Sequence, residues 1–524
     1  LWLQLRIRLF SIFKRPDILI LLGILCVHLF VRMWYAQHLF AWIYDYDEGA
    51  YSLGGRFISE GFLPYRDFTL VHPPLYDLTL GFIYKIFGYD FFLGRYFSVL
   101  LSVLCIILVF IIIRKLFNST AALVGAALVA FFPGFFLLWY RAVQEPLGIF
   151  FVLLSLFFAI DFIRENKIGW RILLSGVCLG LALATKYTFL PVVAGLSLGF
   201  LFLSMRGRWT SLRDWFSREN LLFGGGVVFG FLVVTGYFIV LFPDQFISQT
   251  LSAQVGYRLN FVMPDLLHFF NFFQLPLWSQ KITSICVILV IAVAFFAYFR
   301  RKVSRANSFI FIALFVSLVL SSTFNRFGEL RYFVSPFLMT IIMIAAFVPE
   351  LDAKTIVQPI ERLSIHKLSS FAFGLAVLIF GVASLLILQR YDYSYTGPEG
   401  ITFEKTAYDQ VNRYLEGHPD KTVYSMSPII PALSSKIDTT LQFDTFAFLE
   451  IFGEDPEALI LREQSLGVDY FIVDPLYLLG FQKPQFGVLA ADLDARGKLI
   501  ASFVPAGLKI LSVNVYEDYS TFPR

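Results

Sequence analysis

Apolar residues run in long blocks through the first three quarters of the chain, without the strict alternation of strands. A helix needs ~17–25 residues to cross a hydrocarbon core of about 30 Å. The blocks predict spans over Ile18–Tyr35, Phe92–Ile113, Ala121–Trp139, Leu147–Ile163, Ile172–Ala184, Phe189–Leu203, Leu221–Leu241, Ile282–Phe299, Phe309–Ser322, Phe333–Val348 and Ser370–Leu388. By the hydropathy rule that is about eleven spans. Two shorter stretches differ. Asp47-Glu48 opens an amphipathic segment, Ala50–Ile58, that ends at Gly61 and Pro64, and Pro73–Phe87 begins at Pro-Pro and closes at Gly88. Both are expected as interfacial helices lying along the membrane surface. From Tyr391 the pattern changes to a helix over Asp409–Glu416 and strands over Thr422–Ser425, Asp469–Val473 and Leu508–Tyr516, separated by Gly and Pro turns. The expected architecture is mainly α: a polytopic membrane bundle in residues 1–390 and an extracytoplasmic α/β domain in 391–524.

Composition narrows the class. Of 524 residues, 58% are hydrophobic and 15% charged, with a mean hydropathy of +0.72, which no soluble globular composition approaches. The net charge of +4 is spread over alternate loops, so it marks topology and excludes a nucleic-acid footprint. Arg6, Arg8, Lys14 and Arg15 precede the first span, and Arg114/Lys115, Arg164/Lys167/Arg171, Arg206–Arg218, Arg300–Arg305 and Lys354–Lys367 follow at every second loop. The positive-inside rule makes these cytoplasmic, provided Pro73–Phe87 does not cross. The first outer loop, Glu145, Lys186, Asn325–Arg331 and the C-terminal domain then lie outside. Arg6–Val27 has the basic-then-apolar order of a signal peptide without a small-residue cleavage site, and reads as a retained anchor. Cys26, Cys105, Cys178 and Cys286 lie within apolar blocks and read as packed thiols.

With charge so scarce, clustered acids are informative. Tyr44-Asp45-Tyr46-Asp47-Glu48-Gly49-Ala50-Tyr51 sets three carboxylates beyond the first span, and His72-Pro73-Pro74-Leu75-Tyr76 adds a cationisable ring at a forced chain reversal. Carboxylates at a membrane surface are most often solvated, and tyrosines there an aromatic belt. Glu145, before Pro146, either pairs with Arg141 or faces Asp47 across a cleft, where two acids can divide the tasks of base and orienter. Lys186 either snorkels to headgroups or holds a phosphate. Arg326 and Arg331 stand on an outer loop against the charge trend, which favours anion binding. The aromatic outer loop Pro243–Gln280 reads as a lipid-facing wall. The C-terminal domain has no Gly-rich phosphate loop and no Cys/His cluster.

In order and membrane side, these residues resemble the class C membrane glycosyltransferases that use polyprenyl-phosphate sugars, the superfamily of protein O-mannosyltransferases and lipid A aminoarabinose transferases. Asp47-Glu48, His72-Pro73-Pro74-Leu75-Tyr76, Arg95, Arg141–Glu145-Pro146, Ala184-Thr185-Lys186 and Arg331-Tyr332 carry the resemblance over about the first 340 residues. It implies a transferase moving a sugar from a polyprenyl-phosphate donor to a protein, lipid or glycan acceptor, with inversion. Asp47 would be the general base or acceptor-orienting acid and Glu145 the second acid, with Glu48 beside them as a further catalytic candidate. Lys186 and Arg331 would hold the lipid phosphate, with His72 where relatives often carry Lys, and Arg326 nearby. No cofactor is implied; a divalent cation near Asp47 is compatible with its acids. A transporter would place its charges near the midplane in repeated halves, and no internal repeat is evident. A non-catalytic envelope-glycan assembly protein explains the soluble domain but not the acids over Pro-Pro.

Overall fold

The computed structural model describes residues 15–38, 46–131, 135, 138–205, 215–253, 304–324, 334–345, 348, 408–474, 484–503, 512–517 and 519. The described part of the bundle comprises α1 (Pro16–His38), α2 (Tyr46–Glu60), α3 (Leu75–Phe87), α4 (Phe91–Leu116), α5 (Ser119–Phe131), α6 (Glu145–Glu165), α7 (Trp170–Thr185), α8 (Leu190–Ser204), α9 (Arg218–Leu241), α10 (Arg305–Phe324) and α11 (Val334–Ala345). Nine expected spans fall on these helices; Ile282–Phe299 and Ser370–Leu388 lie outside the described residues. Five described segments are long and apolar enough to cross a membrane: Pro16–Gln37, Phe91–Leu116, Glu145–Glu165, Tyr187–Ser204 and Arg218–Leu241. With shorter apolar helices packed among them, the chain is a multi-pass membrane protein.

Local chemistry sets the helix ends. The Asp90 side chain accepts from Phe92 N–H to start α4, Pro146 sits in the first turn of α6, and Asn166 ends that helix in the left-handed region. The carbonyl of Ala130 lies near the end of α5. It accepts from the buried Arg32 Nη2 at 2.9 Å and lies 3.1 Å from His28 Nδ1. His28 Nε2 lies 2.7 Å from Ser102 Oγ, so α1 is bound to α4 and α5 by polar contacts that lipid could not supply.

Helices α7 and α9 meet through glycine. A Cβ on Gly176 would stand 2.1 Å from the Phe223 carbonyl, and one on Gly180 2.1 Å from that of Val227; Gly226 and Gly230 face α7 as closely. Two small-xxx-small pairs interlock, so the backbones touch where lipid tails offer no hydrophobic drive. Beside this seam Phe162, Phe200 and Phe223 stack with centroids 4.2 and 4.3 Å apart.

The C-terminal part of the described chain holds helices and strands: a helix over 408–416, β1 (Thr422–Ser425), α12 (Ile429–Ala432), β2 (Asp438–Thr439), α13 (Pro456–Ser465), β3 (Tyr470–Val473), α14 (Pro484–Arg496), β4 (Lys498–Phe503) and β5 (Val513–Glu517). The sheet order is β2-β1-β3-β5-β4, parallel between β1 and its two neighbours and antiparallel around β5. The last predicted strand meets β5 over Val513–Tyr516, its residues 508–511 lying outside the described residues, and β2 and β4 were not legible in the pattern.

In helix α2, Tyr46 and Glu48 through Phe57 are buried. Its Leu53 and Phe57 share a core with Phe443, Ile429 and Ile430 of the C-terminal domain, which covers it. Helix α3 buries Leu80 and Tyr84 and exposes Phe82, Ile86 and Phe87.

The glycine seam is testable. Gly180→Leu should lower the stability of the detergent-solubilised protein by about 1–3 kcal/mol through overpacking. Gly225→Leu, on a position with open space around it, should leave thermal unfolding unchanged. Equal melting curves for the two variants would contradict this packing.

Candidate active site

Helix α2 brings Asp47, Glu48 and Tyr51 onto its first turns, where the positive end of the helix favours acids. Glu48 is fully buried and its oxygens are committed. Arg95 of α4 donates to both of them from Nε and Nη2 at 2.7 Å each, and Ala142 N–H donates at 2.8 Å. Arg95 also donates to the Ala36 carbonyl at 3.3 Å. One carboxylate thereby binds α2, α4 and the segment leading into α6, through a bidentate geometry that suits guanidinium.

Asp47, half-buried, precedes this anchor. Four residues on, Tyr51 shares its face of the helix. Lys186 follows the last residue of α7, where the chain turns extended. Its ammonium donates to Glu145 at 2.9 Å and to the Tyr51 hydroxyl at 3.4 Å, and lies 5.8 Å from the Tyr51 ring. Both members of the Lys186–Glu145 pair are buried, and each depends on the other in a low-dielectric setting. Glu145 thus pairs with Lys186; its second oxygen is buried without a hydrogen-bond partner.

The His72 ring stands 6.2 Å from Tyr51. Its backbone carbonyl accepts from the Tyr65 hydroxyl at 2.6 Å, and Tyr65 itself sits at φ 68, in the left-handed region that side chains rarely adopt. Such strain persists where surroundings impose it, and here Phe238 and Phe246 pack on the Tyr65 ring while Gln249 donates to its carbonyl. Asp47, Glu48, His72, Glu145 and Lys186 therefore come together around Tyr51. Arg326 and Arg331 lie outside the described residues.

Two acids of the site were missed in the sequence. Asp77 on α3 is fully buried, and burial pushes its carboxyl up to about 8, with Gln144 and Lys186 pulling the other way and Asp444 adding to the rise. A lone acid in an apolar helix was the available signal; it reads just as well as an ordinary first-turn aspartate. Asp444 comes from the C-terminal domain and had no local signal. Its Oδ1 accepts from the Tyr46 hydroxyl at 2.9 Å and from Ala447 N–H at 3.0 Å. Burial raises it to about 6 against those hydrogen bonds, and the charge of Asp47 adds to the rise. Among the described residues no group of three or more His, Cys, Asp or Glu side chains is arranged to hold a metal.

A membrane bundle with carboxylates and a buried cation at one end, capped by an α/β domain, has the fold of the class C membrane glycosyltransferases, as the resemblance in the sequence implied. Residues 71–240 match the profile of the dolichyl-phosphate-mannose-protein mannosyltransferase family. Among solved structures, ArnT from Cupriavidus metallidurans in the apo state is similar with a TM-score of 0.60 at 14% identity, over 95% of this chain and 97% of that one. The same enzyme bound to undecaprenyl phosphate gives 0.59 at 14% identity, over 97% and 99%. The apo oligosaccharyltransferase of Archaeoglobus fulgidus gives 0.54 at 12% identity, over 94% of this chain and 76% of that one. No curated protein matches the chain by sequence.

The raised Asp77 makes a pH prediction. The folded state keeps the proton up to about pH 8, whereas an unfolded chain releases it near the ordinary value of 3.8. Stability must therefore fall as pH rises between those values. Asp77→Asn, neutral throughout, should melt several degrees above the parent at pH 8 and level with it near pH 4. A constant offset at both pH values would show that Asp77 is ionised in the fold.

Proposed function

We propose that this protein is an integral-membrane glycosyltransferase that moves a hexosyl or pentosyl unit from a polyprenyl-phosphate donor to an extracytoplasmic protein, lipid or glycan acceptor. The observation that carries the reading is the buried Lys186 ammonium, 2.9 Å from Glu145 and against Tyr51, one turn along α2 from Asp47. A cation and a separate carboxylate at one end of a bundle are what displacement of a lipid phosphate requires. The family profile names a dolichyl-phosphate-mannose donor, and the ArnT structure holds undecaprenyl phosphate; both support a lipid-linked donor for this chain.

In this mechanism the acceptor hydroxyl attacks the anomeric carbon from the face opposite the phosphate, so configuration inverts. Its proton passes to Asp47, and the bond from the anomeric carbon to the phosphate oxygen breaks. Lys186, His72, Arg326 and Arg331 take up the charge developing on the polyprenyl phosphate. Glu145 holds the Lys186 ammonium in place at 2.9 Å, and its second oxygen is available to a sugar hydroxyl. Glu48, whose oxygens are committed to Arg95 and Ala142, acts by holding Asp47 in place rather than by exchanging protons. The bundle occupies residues 1–390 with about eleven spans and a cytoplasmic N-terminus, and the domain over 391–524 faces outward with the site.

Three measurements test this. Asp47→Asn should cut transfer by about 10²–10⁴-fold while leaving undecaprenyl-phosphate affinity nearly unchanged; full transfer activity would remove Asp47 from the chemistry. Lys186→Ala combined with Glu145→Gln, which strands no buried charge, and Arg331→Ala should each weaken that affinity, a charge-assisted contact being worth ~1.5–3 kcal/mol. Parental affinity would return these residues to structural roles. For topology, an impermeant maleimide should label Ser435→Cys on intact cells and Lys167→Cys only after permeabilisation; the reverse pattern would invert the orientation.

A further inference from the structure

The first turn of a helix frays most readily, because its N–H groups lack partners inside the helix. Asp47 stands in such a turn, between two residues whose side chains are pinned. On one side Glu48 is fastened to Arg95 and to Ala142 N–H. On the other, the Tyr46 hydroxyl donates to Asp444 Oδ1 at 2.9 Å and accepts from Phe446 N–H at 2.9 Å, across some four hundred residues of sequence. Successive helical residues point about 100° apart, so pins at 46 and 48 together fix both the rotation of the turn and its position along the axis. The Cα–Cβ bond of Asp47 then has one direction left to it.

The rest of the contact holds the second pin steady. Gly49 lets Ile429 come so close that a Cβ would stand 2.5 Å from its backbone nitrogen. Arg56 donates to the carbonyls of Ile437 at 3.0 Å and Ser435 at 3.2 Å, and the Tyr89 hydroxyl to that of Ala432 at 2.5 Å. Asp444 also receives Ala447 N–H, so its carboxylate is oriented from within its own domain before it meets Tyr46.

We propose that Asp444 of the C-terminal domain is a positioning residue for sugar transfer, holding through Tyr46 the turn of α2 that aims Asp47. This rests on Asp47 being the base, and it gives the C-terminal domain a direct part in turnover without placing any of its residues on the donor. The carboxylate suits the task because a hydrogen bond to an ionised acceptor is about twice as strong as a neutral one.

The test uses the full chain in nanodiscs, with undecaprenyl-phosphate mannose as donor and undecaprenyl phosphate as binding probe. Misplacing a reacting group by about an ångström can cost on the order of 10²-fold. Asp444→Ala should lower kcat by about 10–100-fold on that scale, with undecaprenyl-phosphate Kd and donor KM within about twofold. Asp444→Asn keeps the Oδ1 acceptor and should recover to within about threefold of the parent. Tyr46→Phe leaves the C-terminal domain untouched and should reproduce part of the loss, so the proposal stays testable if Asp444→Ala misfolds. In an Asp47→Asn background, Asp444→Ala should have no further effect. Hydrogen exchange over residues 46–50 should speed by about tenfold in Tyr46→Phe, a readout that holds whichever sugar the enzyme uses. Unchanged exchange and parental kcat in Tyr46→Phe and Asp444→Ala would overturn the proposal, as would an equal loss in the Asp47→Asn background. An active Asp47→Asn enzyme would instead overturn the assignment of the base.

Discussion

The bidentate pair between Glu48 and Arg95 is the constraint on which this end of the bundle depends. Two full charges withdrawn from water are tolerated only with near-ideal geometry and no leftover hydrogen-bonding capacity. Arg95 meets both carboxylate oxygens, and Ala142 N–H adds a third donor. Three segments far apart in sequence are thereby held in one arrangement: the start of α2, the start of α4 and the approach to α6. Two further acids of the site take their position from these segments. Asp47 is adjacent to Glu48, and Glu145 follows Ala142 by three residues and presents itself to Lys186.

The buried pair Lys186–Glu145 follows the same logic with a different purpose. Lysine is a flexible point charge with three donors, so unlike Arg95 it can keep one bond to Glu145 while offering others. The Tyr51 ring beneath it adds a face of negative potential. Asp77 is the counterpoint: burial without a cation at bonding distance drives it toward the neutral form. Glu145 has the Lys186 ammonium within 2.9 Å, a contact that Asp77 does not make among the described residues.

Much of this was legible in the sequence, for identifiable reasons. Apolar blocks give spans because a membrane asks only for length and hydropathy, and nine of the predicted spans meet helices. Strands β1 and β3 were visible as compact β-branched and aromatic runs, whereas β2, with Asp438 and Thr439, is too short to show a period. Asp47, Glu145 and Lys186 stood out because charge is rare beside apolar blocks. The commitment of Glu48 to Arg95 was not readable, since nothing local distinguishes an anchored carboxylate from a reactive one. Nor was the cover over α2: an amphipathic helix records that one face is buried, but not that a domain some four hundred residues later will bury the other. Asp444 and Asp77 escaped for the same reason, as both owe their significance to neighbours that only tertiary structure supplies.

Under the proposed function, the glycine seam between α7 and α9 bears on how a lipid substrate would reach Lys186. Backbones that would leave a Cβ only 2.1 Å from the facing carbonyls leave no width for a prenyl chain, which is several ångströms across. The stacked Phe162, Phe200 and Phe223 fill the neighbouring space. The flank formed by these two helices is therefore a closed wall, and under the proposed function a donor whose tail stays in the bilayer would bring its phosphate to the end of α7 from another side of the bundle.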